Sequence, residues 1–483
     1  MLAGPAAAAG NFWQSWEDRV VETRLPNGFT LLVVERPTSP TVACWMFCRA
    51  GAAQEARGQT GLAHLLEHML FKGTESVGTT DHIREKPFLD EQDRLADEIL
   101  AEESRTVQDQ ARLRDLRRRL ETSLRNQRAL TRPEEYGEIL RRHGGVNLNA
   151  GTSLDYTVYH VELPANRLEL WAALESDRLL HPVFREFYKE RDVVMEERRR
   201  SRDSQPDGAL FEQFLSAAFT AHPYGVPTIG WADDIRRLQR KDAEAFYRTQ
   251  YTADRFVAVI VGDVKAEAVT AMVTRYFGAL PAGSGIRLEP TAEPTQKGER
   301  RITVEFDASP QVIMGYHRPT QPHPDVYALD VLSQILTGGR TGRLYRRLSV
   351  RERKPASIWS DGSFPGAKYP NLFVIGFIPR APHTPEEVED VIREELAQLQ
   401  SQPVSAAELA RVKTMMEAGA IRGLAANAGL AQNLGYAWAV GGDWREVFRE
   451  LPKLQAVTAA DIQRVAKTYF TPANRTIAVL RKP

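Results

Sequence analysis

The chain has 483 residues, 42% of them apolar, with lysine plus arginine and aspartate plus glutamate balanced at 63 each. Single hydrophobic cores stop growing well before this length, so at least two domains are expected. Balanced charge gives no field to draw nucleic acid or an anionic membrane, and no run of about eighteen apolar residues is present to span a bilayer.

The first ten residues, MLAGPAAAAG, read either as the small-residue end of a secretory signal or as a disordered tail. The compartment is therefore left open between cytoplasm and an exported, periplasmic location, with the small-residue start tilting it towards the latter. VVETRLPNGFTLLVV reads as two strands around Asn27-Gly28, a hairpin signal. TVACWMFCRAG is apolar on both faces, as a buried strand is. Its Cys44 and Cys48, the two cysteines, are about 13 Å apart when extended and cannot pair there. A helix follows over LAHLLEHMLF, with Thr60 expected as N-cap and Gly73 as the C′ glycine.

Between Pro87 and Pro133 there is no proline or glycine, and Leu113, Leu116, Leu120 and Leu124 recur three and four apart. One straight helix of that length would run roughly 65 Å, so a helical hairpin turning near Glu103 to Gln108 is expected, as an insertion spanning about residues 82–135. Further on, YTADRFVAVIVGDV is echoed by FTPANRTIAVL at the chain's end, and TVACWMFCRAG by PQVIMGYHRPT. This repeat predicts an α+β fold of two similar domains, each a largely antiparallel sheet flanked by helices. The boundaries are set at 14–283 for the first domain, 284–299 for a proline- and glycine-rich linker and 300–483 for the second.

The helix contains His64-Leu-Leu-Glu67-His68. Spacing of i, i+4 puts both imidazoles one turn apart on one face, a two-point metal seat. Glu67 is near enough to take a proton from a water on that metal, which implies amide hydrolysis. A third ligand is expected from KERDVVMEERRR, where Glu190, Val194 and Glu197 share a helical face. A carboxylate beside apolar residues is costly unless paired or metal-bound. Glu197 is the expected ligand, Glu196 its rival, and Glu190 a partner that orients the site.

With HLLEHMLFKGTE, GGVNLNAGTSLDYTVYH, KERDVVMEE and HPYGVPTIG in view, the chain resembles the pitrilysin-type metallopeptidases that carry the inverted motif H-x-x-E-H, in the bacterial and mitochondrial-processing-peptidase branch. The resemblance covers nearly everything but the insertion. It implies Zn2+ bound by His64, His68 and Glu197, Glu67 as general base, a role for Glu190, and Asn149 and Ala150 on a strand edge where an extended peptide pairs. In the second domain relatives carry an arginine followed seven residues later by a tyrosine. Here Arg351 aligns with the arginine but Ile358 stands in the tyrosine's place, unless Tyr345 or Trp359 serves instead. Members built from two different chains divide these parts between them, which implies a heterodimer with a zinc-less similar subunit, a homodimer being the alternative. ALDVLSQIL, the counterpart of the zinc motif, has no histidine, so hydrolysis is expected in the first domain alone. The expected activity is a zinc endopeptidase acting on short or unfolded peptides; a presequence-processing peptidase and a non-catalytic assembly subunit of the same fold are the alternatives. A purely structural zinc site would ask for a closed set of four ligands.

Overall fold

The computed structural model describes residues 12–285 and 289–483. The opening decapeptide lies outside them, as do residues 286–288 of the expected linker. The described chain forms two compact bodies, residues 19–197 with 228–285, and residues 12–18 with 198–227 and 289–483. No helix among the described residues is long and apolar enough to cross a membrane.

The first body is built on a six-stranded sheet in the order β1-β2-β6-β3-β5-β4. Its strands are β1 (Val20–Arg24), β2 (Thr30–Glu35), β3 (Thr41–Cys48), β4 (Val146–Thr152), β5 (Thr157–Pro164) and β6 (Phe256–Gly262). Only β2 and β6 pair in parallel; β1 and β2 form the expected hairpin, Val20 opposite Val34 and Arg24 opposite Thr30. Strand β3 sits between β5 and β6, which explains why it is apolar on both faces. Its two cysteines are buried and free.

The second body repeats this plan. Its sheet has the order β7-β11-β8-β10-β9, from β7 (Arg300–Glu305), β8 (Gln311–Arg318), β9 (Pro355–Phe364), β10 (Asn371–Pro379) and β11 (Arg475–Arg481). Again one pair, β7 with β11, is parallel. The echoed segments become β6 and β11, each entered through a single 3-10 turn flanked by a threonine at φ −104°, ψ 153°. The second echo becomes β3 and β8, each central in its sheet. Among the described residues strand β1 has no counterpart in the second sheet.

Helix α1 (Leu62–Met69) follows β3 and buries Leu62, Ala63, Leu65, Leu66 and Met69. That stripe at i, i+3, i+4 and i+7 leaves His64, Glu67 and His68 on the other face. The expected caps differ. Gly61, not Thr60, precedes the helix, at φ +89°, where a Cβ would meet the Ile229 carbonyl oxygen at 2.4 Å. Thr60 is occupied elsewhere: its hydroxyl donates to Asp234 at 2.6 Å and accepts the Trp231 N–H at 2.9 Å. The Glu55 side chain instead accepts the N–H groups of Gly61 (2.9 Å) and Ala63 (2.7 Å). Nor is Gly73 the C′ residue, because the helix closes at Leu70 and a tight turn through Phe71 and Lys72 precedes the glycine.

The insertion is the expected hairpin, α2 (His82–Glu103) and α3 (Gln110–Arg128). It is tied down by polar contacts: in a buried cluster Gln127 and Arg185 both donate to Glu85 Oε1 at 3.0 Å, and nearer the surface Arg240 pairs with Asp93 at 2.5 Å. A burial this deep requires partners for every polar atom. Helix α4 (Phe187–Arg198) completes what the site needs from this body.

The expected first domain ran unbroken from 14 to 283, but residues 14–18 and 198–227 belong to the second body. Helix Pro206–Ala218 packs on β7, β8 and β11, with the Phe214 ring filling the space over Gly315. Arg300 donates to the carbonyls of Ala217 (2.9 Å) and Ala218 (2.8 Å). Local sequence shows that such a helix has an apolar face but not which sheet it will cover.

Candidate metal centre

Two helices of the first body build the centre. The polar face of α1 presents His64, Glu67 and His68, and α4 brings Glu197 and Glu190. Ligand atoms of His64, His68 and Glu197 lie within 4.8 Å of one another. Glu197 places Oε1 3.6 Å from His64 Nε2 and Oε2 3.7 Å from His68 Nε2. Glu196 is not in this group. Val194, one turn before Glu197, is fully buried and fixes which side of α4 faces α1.

Glu190 Oε1 is 3.0 Å from His68 Nδ1, and Oε2 pairs with Lys72 Nζ at 2.5 Å. A carboxylate can only accept, so His68 carries its proton on Nδ1 and leaves the Nε2 lone pair for a cation. Burial works against the charge on Glu190, but the hydrogen bonds and charges of His68 and Lys72 outweigh it and hold the carboxyl at about 2. Burial, with a smaller push from His68, lowers His64 to about 4, so this imidazole is neutral near pH 7, as a ligand must be. For His68 burial is overcome by Glu190, then by Glu67 and Glu197, and the net shift is upward. Burial raises Glu67, opposed by its hydrogen bonds from Thr152, whose hydroxyl donates to Glu67 Oε2 at 2.6 Å.

The donor set fits a divalent cation of borderline softness. Two imidazoles and one carboxylate are a common three-ligand set for catalytic zinc. Three carboxylates, Glu67, Glu190 and Glu197, surround the imidazoles with one ammonium, Lys72, to offset them, an excess of negative charge that a dication would balance. Among the described residues His64 Nδ1 is buried with no hydrogen-bond partner, and Nε2 is the nitrogen that faces Glu197.

Strand β4 is the edge of its sheet. It carries Asn149 opposite His160 and Ala150 opposite Tyr159, with a register shift before Asn149 and Asn147 at φ +54°. A cleft of about 350 Å³ is lined by Leu148, Asn149 and Ala150 together with Glu67, His68 and Phe71. Five of the eight expected site residues, Glu67, His68, Asn149, Ala150 and Glu190, line this cleft, and His64 and Glu197 join His68 in the group of ligand atoms.

Arg351 belongs to the second body. It is exposed on the π-helix Tyr345–Glu352 and borders an open depression with Arg343, Arg346, Arg347 and Arg411. Ile358 lies on β9 opposite Phe377 of β10. Trp359 covers Gly376, where a Cβ would be 2.3 Å from its ring, and Tyr345 opens that same π-helix. Helix α5 (Asp325–Thr337), the counterpart of α1, buries Ala328, Leu329 and Leu332, and its Ser333 bonds Ser360 at 3.0 Å.

Sequence reasoning missed Thr152 and Lys72. Lys72 continues the spacing of His64 and His68 by one more turn, at i+8, and that signal was available. Thr152 lies 84 residues (152 − 68) beyond the motif, and only the fold of β4 against α1 brings it to Glu67.

The profile described as insulinase (peptidase family M16) matches residues 30–86 and 124–231, and the gap at 87–123 falls within the hairpin α2–α3. The profile described as peptidase M16 inactive domain matches residues 237–416. The chain is 26% identical to the zinc protease PqqE of Helicobacter pylori over 97% of its own length and 94% of the relative's. It is 25% identical to the mitochondrial-processing peptidase subunit beta of Lentinula edodes, over 64% of this chain and 56% of that one. Among solved structures, a protease from Helicobacter pylori superposes with a TM-score of 0.80 at 24% identity, covering 96% of this chain and 99% of the other. With both profiles in chain order, the repeated sheets and the inverted motif on α1, the chain belongs to peptidase family M16.

Proposed function

We propose that the chain is a zinc-dependent endopeptidase of short or unfolded peptides, with His64, His68 and Glu197 as the ligands and Glu67 as the proton acceptor. The observation that carries this reading is the convergence of three ligand atoms within 4.8 Å of one another beside a carboxylate that is not itself one of them. The name zinc protease borne by the Helicobacter pylori relative supports it. Zinc in this seat would supply Lewis acidity, polarising a scissile carbonyl and making water a competent nucleophile near neutral pH. Everything else is done by the chain. Glu190 fixes the tautomer of His68, Lys72 holds Glu190, and Glu67 takes the proton from the attacking water and returns it to the leaving nitrogen. The free edge of β4 at Asn149 and Ala150 pairs with an extended peptide through backbone hydrogen bonds, which read shape rather than sequence.

Because Ile358 stands where the resemblance asks for a tyrosine, we place the missing substrate-holding group on a similar, zinc-less partner subunit. The test of the main reading is hydrolysis of a quenched, unstructured peptide by the purified chain with and without a zinc chelator. Chelator-sensitive cleavage that disappears in Glu67→Gln, with zinc content retained, is the expected result; cleavage that survives both treatments would refute the assignment.

A further inference from the structure

We propose that Thr152 is a positioning residue that holds Glu67 in its working orientation and couples that orientation to the ordering of strand β4; this rests on the reading of the chain as a zinc peptidase. Glu67 is half-buried on α1, and the Thr152 hydroxyl is the side chain among the described residues that donates to it, at 2.6 Å. Without that bond the carboxylate would be drawn towards the imidazole of His68 and pushed by Glu197, both of which act on it electrostatically.

Thr152 is itself firmly held. It is the last residue of β4 and pairs with Thr157 of β5, a fully buried residue whose hydroxyl donates to the Ala50 carbonyl at 2.9 Å. The far end of β4 is irregular, with the Asn147 amide donating to Glu162 Oε1 at 2.7 Å. Val146 is 57% exposed, Asn147 has positive φ and the register slips between Val146 and Asn149. An edge strand with one anchored and one irregular end gains order when another strand pairs with it. Such ordering, running along Leu148 to Thr152, ends on the hydrogen bond to Glu67. Peptide length along β4 should therefore show in kcat, and not only in KM, because the contact acts on the reacting group.

The experiment compares wild type, Thr152→Val and Thr152→Ser on two quenched peptides, one just spanning the cleft and one extended along β4. A hydrogen bond to a charged group predicts that Thr152→Val lowers kcat by on the order of 10- to 100-fold, with KM for the short peptide and zinc content unchanged. Thr152→Ser should restore most of the rate, and the gain in kcat from the longer peptide should vanish in the valine variant. Unchanged kcat in Thr152→Val, or a loss confined to KM, would overturn the proposal. A second measurement needs no turnover: urea unfolding of the metal-free chain carrying Thr152→Val, Glu67→Met or both. The two changes should cost less together than the product of their separate effects, and independent effects would overturn the contact. A zinc-loaded wild-type chain that hydrolyses nothing, either alone or with a zinc-less similar subunit added, would instead overturn the peptidase reading, with the unfolding cycle still deciding whether Thr152 holds Glu67.

Discussion

Glu196 and Glu197 are neighbours in sequence with different surroundings, and their difference is the sharpest check on the ligand set. The i, i+4, i+7 argument from Glu190 and Val194 favours Glu197 because one helical face carries all three, and the structure puts Glu197 oxygens 3.6 and 3.7 Å from the two imidazoles. Glu197→Gln is expected to lower zinc affinity by at least about tenfold, because it removes the only negative charge among the three ligands, while Glu196→Gln leaves it unchanged; equilibrium zinc binding measures both. The histidines, Glu67 and Glu190 were legible because helix periodicity converts spacing into a face. Thr152 was not, because its partner is remote in sequence, and a threonine in a strand has many unremarkable uses. A second residue-scale effect lies in the other body. Burial, then the charges of Asp330 and Glu446, push Glu450 up to about 7, with Lys453 opposing. A carboxyl raised in the folded state contributes stability that is fully present below its unfolded value of 4.5 and is lost as pH rises through about 7. Glu450→Gln should therefore match wild type near pH 4 and exceed it above neutrality by about 2 kcal/mol, discounted for partial exposure. Urea unfolding of the metal-free chain at both ends of that range is the check, and equal stabilities throughout would contradict it.

At the level of elements, the helix that carries the metal motif is only eight residues long, too short to hold itself. Packing of its apolar stripe supplies most of what it needs, and its N-terminus is closed from outside by Glu55, which accepts two of the otherwise orphaned N–H groups. Glu55→Ala should cost about 1–2 kcal/mol of stability, the usual worth of an N-terminal cap, and should weaken zinc binding although Glu55 touches no ligand. Calorimetry and zinc titration of the same variant measure the two effects; a stability loss with unaltered zinc affinity would show that α1 keeps its shape uncapped. This element also shows where sequence reading stops. The helix, its face and the hairpin α2–α3 were all visible from periodicity and from missing prolines and glycines. The cap was assigned to Thr60 because N-caps are usually local, and the actual acceptor comes from five residues before it. Segment 198–227 was misassigned for the same reason, since which sheet the Phe214 face covers depends on Gly315, a hundred residues later.

In the whole molecule the second sheet repeats the order of five strands of the first, yet all three proposed ligands lie in the first body. The divergence is concentrated at equivalent helices. Where α1 exposes His64 and His68, α5 buries leucines and hydrogen-bonds Ser333 to Ser360, so the second body has turned its copy of that surface into core. The repeat was readable because β6 and β11 kept their approach sequences, YTADRF and FTPANR, and strand order follows from which segments pair. With no histidine on α5, the second body offers no such seat there, and the resemblance assigns it the holding of substrate through an arginine and a tyrosine. Arg351 is present and exposed, but Ile358 has no hydroxyl to donate. If that group comes from a partner subunit, the zinc-loaded chain alone should turn over an unstructured peptide slowly. Adding a zinc-less similar subunit, or Ile358→Tyr, should then raise kcat/KM by about tenfold or more, the 1.4 kcal/mol that one added hydrogen bond to the substrate can contribute. Ile358 sits half-buried on β9 opposite Phe377, so the added ring must fit along that strand, and a thermal melt of the variant would show whether it does. Full activity of the chain by itself, with no response to a well-folded Ile358→Tyr, would mean that a single kind of chain is sufficient and that Ile358 marks no missing part.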